Sequence, residues 1–220
     1  MTGVLQFTDI KAIVLDFDGV IAESVSIKTE AFRELFAPYK EHIATIMAYH
    51  QEQHSSSRFV QFRAFYDKIL HKPYTATIEN QLNEQFSQLV VNKIIACPFV
   101  PGAMELLRTY SQRLPLYVAS LTPVKELTLI LKQKGVDIFL KGYYGSEIGK
   151  AESLKDIMVK EGLSPAQVVF IGDSLSDLKA AEQTHVNFLA RAHDKSFVNK
   201  EVLSFPDLNG IINFLEHQED

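Results

Sequence analysis

The sequence lacks the features that mark secreted, disulfide-bonded or membrane-embedded proteins. It has a single cysteine, Cys97, which excludes an internal disulfide and indicates a reducing compartment. No apolar stretch reaches the roughly 18 residues that a membrane-spanning helix needs. The N-terminus has no basic segment followed by an apolar run, as a secretory signal would. We therefore expect a cytoplasmic protein that does not bind a membrane.

The chain also lacks an excess of basic residues. Its 22 Lys and Arg stand against 27 Asp and Glu, which gives a net charge of −5. Without a basic stripe, we expect no nucleic-acid partner, and an anionic substrate would be bound by a few local cations. The 220 residues, 46% of them hydrophobic, suffice for one large globular domain or for a domain with an insert.

Short apolar segments alternate with amphipathic ones along much of the chain. Strands are predicted over residues 12–15, 116–119, 168–171 and 186–190, and less clearly over 139–144. Helices are predicted over residues 103–111, 124–134, 151–161 and 177–183, with a short closing helix over 210–216. This alternation is typical of βαβ units, and it predicts an α/β fold with a doubly wound parallel sheet.

The interval between residues 18 and 120 breaks this rhythm. It spans about 100 residues, whereas a βαβ step needs roughly 30. The apolar spacing in it predicts helices over residues 27–36, 42–49, 58–70 and 78–95. We therefore predict an α/β core over residues 1–21 and 97–220, with an all-helical cap domain over residues 22–96 inserted after the first strand.

Two carboxylates, those of Asp16 and Asp18, follow the first predicted strand and precede Gly19. A buried strand that opens into Asp-x-Asp-Gly directs both acids to the carboxyl edge of the sheet, where open α/β sheets bind ligands. Burying two like charges together is costly unless a cation is bound there. The run suggests a metal and a phosphate, although alone it also fits an Asx-type turn with Gly19 at positive φ.

Three further polar clusters lie at predicted strand ends or helix starts. Ser120 and Thr122 follow the second strand, Lys150 opens a helix, and Asp173 and Asp177 lie in the segment after the strand at 168–171. Because the carboxyl ends of parallel strands share one edge, these clusters are expected to converge. Each has an ordinary alternative, such as a turn residue, a helix cap or a solvated lysine, and Thr122 is interpreted as a helix N-cap.

The order of these motifs resembles the haloacid dehalogenase superfamily. The order is Asp-x-Asp-Gly-Val, an apolar strand ending in Ser, then Lys, then Gly-Asp-Ser-x-x-Asp, and it extends over residues 12–191. The resemblance is to the phosphatase-like members with a helical cap, of the phosphoglycolate phosphatase and β-phosphoglucomutase type. It implies a Mg²⁺ cofactor and a small phosphorylated metabolite as substrate. The chain departs from the family pattern at residues 181–185, where many relatives have a small Ala-Gly turn. This difference affects a predicted helix end and not the predicted site.

The resemblance implies roles for the motif residues. Asp16 would be the nucleophile that forms an aspartyl-phosphate, and Asp18 would protonate the leaving oxygen and then activate water. Ser120 would hold a phosphoryl oxygen, and Lys150 would balance the charge of Asp16 and the phosphate. The protein oxygens on Mg²⁺ would come from Asp16, Asp173 and the main-chain carbonyl of Asp18.

Further residues complete the predicted site. Asp177 would orient Lys150 or a metal-bound water. Gly19 and Leu121, together with Ser120, are predicted to contact the substrate phosphate. Arg58 follows a run of serines and is predicted to bind a carboxylate or hydroxyl of the substrate, the alternative being a solvated arginine.

The motifs leave more than one function open. We predict a Mg²⁺-dependent phosphoric monoester hydrolase acting on a sugar phosphate or phospho-organic acid, as a monomer or weak homodimer. A phosphomutase of the β-phosphoglucomutase type would use the same residues and return the phosphoryl group to another hydroxyl. A receiver-like phospho-acceptor domain also uses a phosphorylated Asp and Mg²⁺ but has no cap, and a binding module with a vestigial site is the last alternative.

Overall fold

A computed structural model describes residues 7, 9–53, 56–192, 197 and 200–218 of the chain. They form two compact units, one built from the residues up to Glu23 and from Pro98 onward, the other from Ser24 to Cys97. The first unit contains a sheet with flanking helices, and the second is helical. Within the described ranges, no helix combines the length and the apolar character needed to cross a membrane.

The helical unit packs around a cluster of aromatic side chains. Its helices are α1 (Val25–Phe36), α2 (Ile43–Glu52), α3 (Arg58–Ala64) and α4 (Ala76–Ala96). The chain continues from α3 as a π-helical segment, Phe65–Ile69, where the sequence pattern predicts one regular helix over 58–70. The ring centroids in this cluster are 4.7 Å apart for Phe32 and Phe86 and 6.0 Å apart for Phe36 and Phe62. The π-helical segment therefore occurs where large side chains pack closely.

The sheet of the first unit is parallel, with the order β3-β2-β1-β4-β5-β6. Its strands are β1 (Ala12–Leu15), β2 (Leu116–Ala119), β3 (Gly142–Tyr144), β4 (Val168–Gly172), β5 (Asn187–Arg191) and β6 (Ser204–Phe205). β1, β2 and β4 are buried along their whole length, which is why their sequences are almost uniformly apolar. β5 is also buried but has a polar residue at each end, Asn187 and Arg191. The direction of strand addition reverses between β1 and β4, which confirms the predicted α/β doubly wound parallel sheet.

The helices of this unit agree closely with the sequence pattern. They are α5 (Ala103–Tyr110), α6 (Val124–Gln133), α7 (Lys150–Glu161), α8 (Leu175–Thr184) and α9 (Leu208–Glu216). Residues of α7 and α8, such as Leu154 and Ala181, join Val14 and Phe170 in the core against one face of the sheet. This packing carries the first residues of α7 and α8 to the carboxyl edge of β1 and β4.

The strand predictions are wrong at two places. The candidate over 139–144 shortens to Gly142–Tyr144, because residues Asp137–Phe139 form a 3-10 turn. The two-residue strand β6 is not predicted, since a segment this short and partly exposed has no readable alternation.

Candidate active site

Lys150, the first residue of α7, links two of the predicted carboxylates. Its Nζ lies 2.7 Å from Asp16 Oδ2 and 2.5 Å from Asp177 Oδ1, and all three side chains are buried. Burial alone would lower the pKa of Lys150, but the charges of Asp16 and Asp177 outweigh it and hold that pKa above its usual value. Lys150 is therefore a fixed positive charge at the end of β1.

Asp173 adds a third carboxylate to this cluster. Oxygens of Asp16, Asp173 and Asp177 all lie within 4.8 Å of one another. Burial raises the pKa of Asp16 to about 7; Lys150 offsets part of the rise, and the charges of Asp177 and Asp18 add to it. Burial also raises the pKa of Asp173 well above its usual value, and the charges of Asp16 and Asp177 raise it further. Asp16, Asp173 and Asp177 thus form a buried cluster of like charges beside the Lys150 ammonium.

The donor set fits a hard divalent cation such as Mg²⁺. The cluster offers carboxylate oxygens only, the ligands that Mg²⁺ prefers. Both oxygens of Asp177 are already engaged, because Oδ1 accepts from Lys150 and Oδ2 accepts from the Ser174 backbone N–H at 3.1 Å. Asp16 also accepts two hydrogen bonds, from the Phe17 N–H at Oδ1 and from Lys150 at Oδ2, so hydrogen bonding does not separate these two carboxylates. That Asp16 and Asp173 would hold the cation stays a prediction, and a cation there would neutralise crowded negative charge.

Asp177 is held in place by the start of α8. Asp177 Oδ2 accepts from the Ser174 backbone N–H as part of a capping box at the helix N-terminus, and the Ser174 hydroxyl donates to the same oxygen at 2.5 Å. For this reason α8 begins at Leu175, two residues before the predicted start. Gly172 makes room for the contact, since a Cβ atom there would lie 2.3 Å from Asp177 Cβ.

Thr122 contacts Asp18 and does not cap a helix. Its Oγ1 donates to Asp18 Oδ2 at 3.2 Å, and its backbone N–H donates to Ser120 Oγ at 3.1 Å. The N-cap interpretation is wrong because α6 starts at Val124, with Pro123 at the cap position, and Glu147 accepts the Val124 N–H instead. A threonine two residues after a predicted site serine is the signal that could have found this contact.

The turn after Asp18 is held by several hydrogen bonds. Gly19 has φ of 74°, a left-handed conformation that favours glycine, and its N–H donates to the Ala22 carbonyl at 2.8 Å. Arg191, at the end of β5, donates to the Gly19 carbonyl at 3.2 Å. Sequence reasoning missed Arg191, although a charged residue ending an apolar strand is a visible signal.

The remaining predicted residues divide between the two units. Leu121 follows Ser120 and precedes Thr122, within the first unit. Arg58 belongs to the helical unit, where it is buried, donates to Ser87 Oγ at 3.1 Å and lies 4.4 Å from the Phe86 ring centroid. These contacts give Arg58 a packing role, and its contact with substrate stays a prediction.

Known proteins resemble this chain in sequence over most of its length. The family model of haloacid dehalogenase-like hydrolases matches residues 10–185. A phosphoglycolate phosphatase of Psychrobacter arcticus is 25% identical over 94% of this chain and 96% of its own length. Together they support the predicted class, a hydrolase of phosphate monoesters.

Solved structures agree on the fold. One described as a predicted phosphoglycolate phosphatase from Haemophilus somnus has a TM-score of 0.74 and 19% identity, covering 94% of this chain and 98% of that one. CbbY of Rhodobacter sphaeroides, in complex with xylulose-(1,5)bisphosphate, has a TM-score of 0.73 and 16% identity, covering 90% of this chain and 94% of its own. Because the family model matches residues 10–185, the chain belongs to the haloacid dehalogenase-like hydrolase family.

Proposed function

We propose that this protein is a Mg²⁺-dependent phosphatase that hydrolyses a small phosphorylated metabolite through an aspartyl-phosphate on Asp16. The observation that carries the proposal is the buried Lys150 ammonium, which bridges Asp16 and Asp177 beside Asp173 at the strand edge. Such a cluster suits a dianionic phosphate that arrives with a divalent cation.

The first step is transfer of the phosphoryl group to Asp16. One carboxylate oxygen of Asp16 forms a bond to phosphorus while the bond from phosphorus to the ester oxygen breaks. Asp18, which accepts a hydrogen bond from Thr122, gives its proton to that departing oxygen. Lys150 keeps Asp16 oriented, and Ser120 holds a phosphoryl oxygen.

The second step returns the enzyme to its starting state. Asp18, now ionised, takes a proton from a water molecule that attacks the phosphorus, and the bond to Asp16 breaks to release inorganic phosphate. A Mg²⁺ ion held by Asp16 and Asp173 would neutralise negative charge on the phosphoryl oxygens. One carboxyl group serves both steps because the proton that it gives in the first is recovered in the second.

The name of one relative and the bound ligand of another support a proposal for the class of substrate. The Psychrobacter arcticus protein is named for phosphoglycolate, and the Rhodobacter sphaeroides structure holds a sugar bisphosphate. We propose a phospho-organic acid or a sugar phosphate as the substrate here. A cytoplasmic location and a monomeric or weakly dimeric state belong to the same proposal.

A phosphate-release screen of phosphorylated metabolites with Mg²⁺ tests the function. The panel should include phosphoglycolate, pentulose bisphosphates and hexose phosphates. We expect Asp16→Asn to abolish release with its fold intact, since the change is nearly isosteric, and Asp67→Asn, at an exposed position in the helical unit, to match the wild type. Normal turnover by folded Asp16→Asn would contradict the proposal.

The same screen distinguishes a phosphatase from a phosphomutase. A phosphomutase would use Asp16 and Asp18 alike but release little inorganic phosphate and yield an isomeric phosphate ester. Product analysis by phosphorus NMR distinguishes the two outcomes directly.

The role of Arg58 is tested by comparing two substrates on one preparation. If Arg58 contacts the substrate, Arg58→Ala should lower kcat/KM for the natural substrate about 10- to 150-fold, the cost of a charge-assisted contact, and spare a generic aryl phosphate. Equal losses on both substrates would assign Arg58 to packing against Phe86 and Ser87.

A further inference from the structure

Arg191, at the end of β5, is a buried arginine whose side chain contacts two other segments of the first unit. Its Nη2 lies 2.7 Å from Glu23 Oε1, its Nη1 donates to the Gly19 carbonyl at 3.2 Å, and its Nε donates to the Pro206 carbonyl at 3.2 Å. The side chain is only 8% exposed. Every guanidinium nitrogen is therefore used, and two of them bind the segment that follows Asp18.

The segment 17–23 also forms a turn with its own backbone hydrogen bonds. The Phe17 carbonyl accepts from the backbone N–H of Ile21 at 2.9 Å and of Ala22 at 3.1 Å, and the Glu23 N–H donates to the Pro98 carbonyl at 3.0 Å. Asp18 lies inside this turn, and its carboxylate accepts from Thr122. Arg191 thus contacts the carbonyl of Gly19, the residue after Asp18, and the side chain of Glu23 at the far end of the turn.

An arginine suits this position for a geometric reason. Its planar fork reaches a carbonyl and a carboxylate simultaneously, whereas a lysine presents one compact charge. The Arg191–Glu23 pair is only partly buried, since the Glu23 side chain is 35% exposed, and such a pair is weak evidence for a stabilising role. What the pair does is connect the end of β5 to Glu23, at the far end of the turn.

We propose that Arg191 is a positioning residue that fixes the turn 17–23 and thereby aims the Asp18 carboxyl group. The inference rests on the proposed function, in which Asp18 gives a proton to the departing oxygen. Misplacing a reacting group by about 1 Å can cost about 100-fold in rate. Loss of Arg191 should therefore slow the reactions that need this proton and spare those that do not.

The kinetic test compares two leaving groups. We expect Arg191→Met and Arg191→Lys to slow single-turnover cleavage of an alkyl phosphate about 10- to 100-fold. Cleavage of p-nitrophenyl phosphate, whose leaving group needs little protonation, should change less than about threefold. Arg108→Met, at an exposed arginine of α5, should change neither rate. Ile211→Val, in the core of α9, controls for a general loss of stability.

A second readout does not depend on activity. Hydrogen exchange of the backbone amides in residues 17–23 should accelerate about tenfold or more in Arg191→Met and stay unchanged in Arg108→Met and Ile211→Val. Should the Arg191 variants fail to fold, Glu23→Gln keeps the shape of the pair and should shift both readouts in the same direction.

The outcomes separate this inference from the proposed function. Unchanged exchange in residues 17–23, or equal rate losses on the two phosphates, would overturn the role of Arg191. A wild-type protein that hydrolyses no phosphate ester would overturn the proposed function, while the exchange measurement would still decide whether Arg191 fixes the turn.

Discussion

Lys150 shows how one residue sets the electrostatics of the site. Its ammonium group is shared by Asp16 and Asp177 and has almost no access to water. A buried ion cluster of this kind costs desolvation energy, which only good geometry offsets, so removal of one partner leaves uncompensated charge. The consequence should be visible both in stability and in catalysis.

Lys150→Met should lower the free energy of unfolding by about 3–5 kcal/mol, because it leaves two buried carboxylates without their cation. Lys155→Met is the matched control on the same helix, since Lys155 forms an exposed pair with Glu152, and a loss below about 1 kcal/mol is expected there. Urea denaturation measures both values. Equal losses in the two variants would show that the Lys150 bridge contributes little.

Thr122 acts on the other predicted catalytic acid. Its hydroxyl group points at Asp18 and its backbone N–H at Ser120, so a single residue couples the two. Valine has nearly the same shape as threonine and lacks the hydroxyl group, and serine keeps it.

Thr122→Val should reduce kcat for an alkyl phosphate about 10- to 150-fold, the cost of losing a hydrogen bond to a charged group. Thr122→Ser should keep most of the activity, because its hydroxyl group still reaches Asp18. Steady-state kinetics on both variants, with melting curves to verify folding, provide the measurement. A Thr122→Ser variant as slow as Thr122→Val would point to packing of the methyl group instead.

At the scale of elements, the site depends on how closely α8 approaches β4. Gly172 ends β4, and the position of its missing Cβ is occupied by Asp177 of α8. The same close approach lets Asp177 reach Lys150 at the start of α7. One packing arrangement thus brings together the end of β4, the start of α8 and Lys150.

Gly172→Ala should destabilise the protein by about 1–3 kcal/mol, the usual cost of overpacking, and should reduce activity by displacing Asp177. Gly210→Ala is the matched control in α9, where a new Cβ would lie 3.1 Å from a Phe205 ring atom and alanine favours the helix. Chemical denaturation and phosphate release measure the two effects. Unaltered activity in Gly172→Ala would mean that α8 can shift without loss.

At the scale of the whole molecule, the first unit concentrates negative charge at one edge of its sheet. Burial raises the pKa values of Asp16 and Asp173, and the charges of neighbouring carboxylates raise them further. A cation bound only by the folded protein would stabilise it by mass action.

Mg²⁺ at about 100 times its dissociation constant should add about 2.7 kcal/mol of stability, which corresponds to a rise in Tm of roughly 5–10 °C. Asp173→Asn should abolish most of this rise and, in chelator, melt no lower than the wild type, because it removes one buried like charge. Thermal melts with and without Mg²⁺ test this. An equal Mg²⁺ shift in the two proteins would place the cation elsewhere.

Much of the architecture follows from local sequence. The bounds of β1 and β2 agree with the predicted strands because buried parallel strands are continuous apolar runs with polar residues at their ends. Periodicity also yields α5, α6 and α7 to within one residue at either end. The order of Asp16, Ser120, Lys150 and Asp173 along the chain was sufficient to predict the family, because each motif follows a strand or begins a helix.

Tertiary structure alone decided which side chains meet. Thr122 contacts Asp18 across 104 positions and Arg191 contacts Gly19 across 172, and no local period encodes such pairs. The π-helical segment Phe65–Ile69 likewise belongs to the packed helical unit, where the rings of Phe62 and Phe65 share one core. The sequence pattern determines which residues are buried and at which edge of the sheet the strands end. Only the packing of strands and helices sets the distances of 2.5–3.2 Å at which Lys150, Thr122 and Arg191 act.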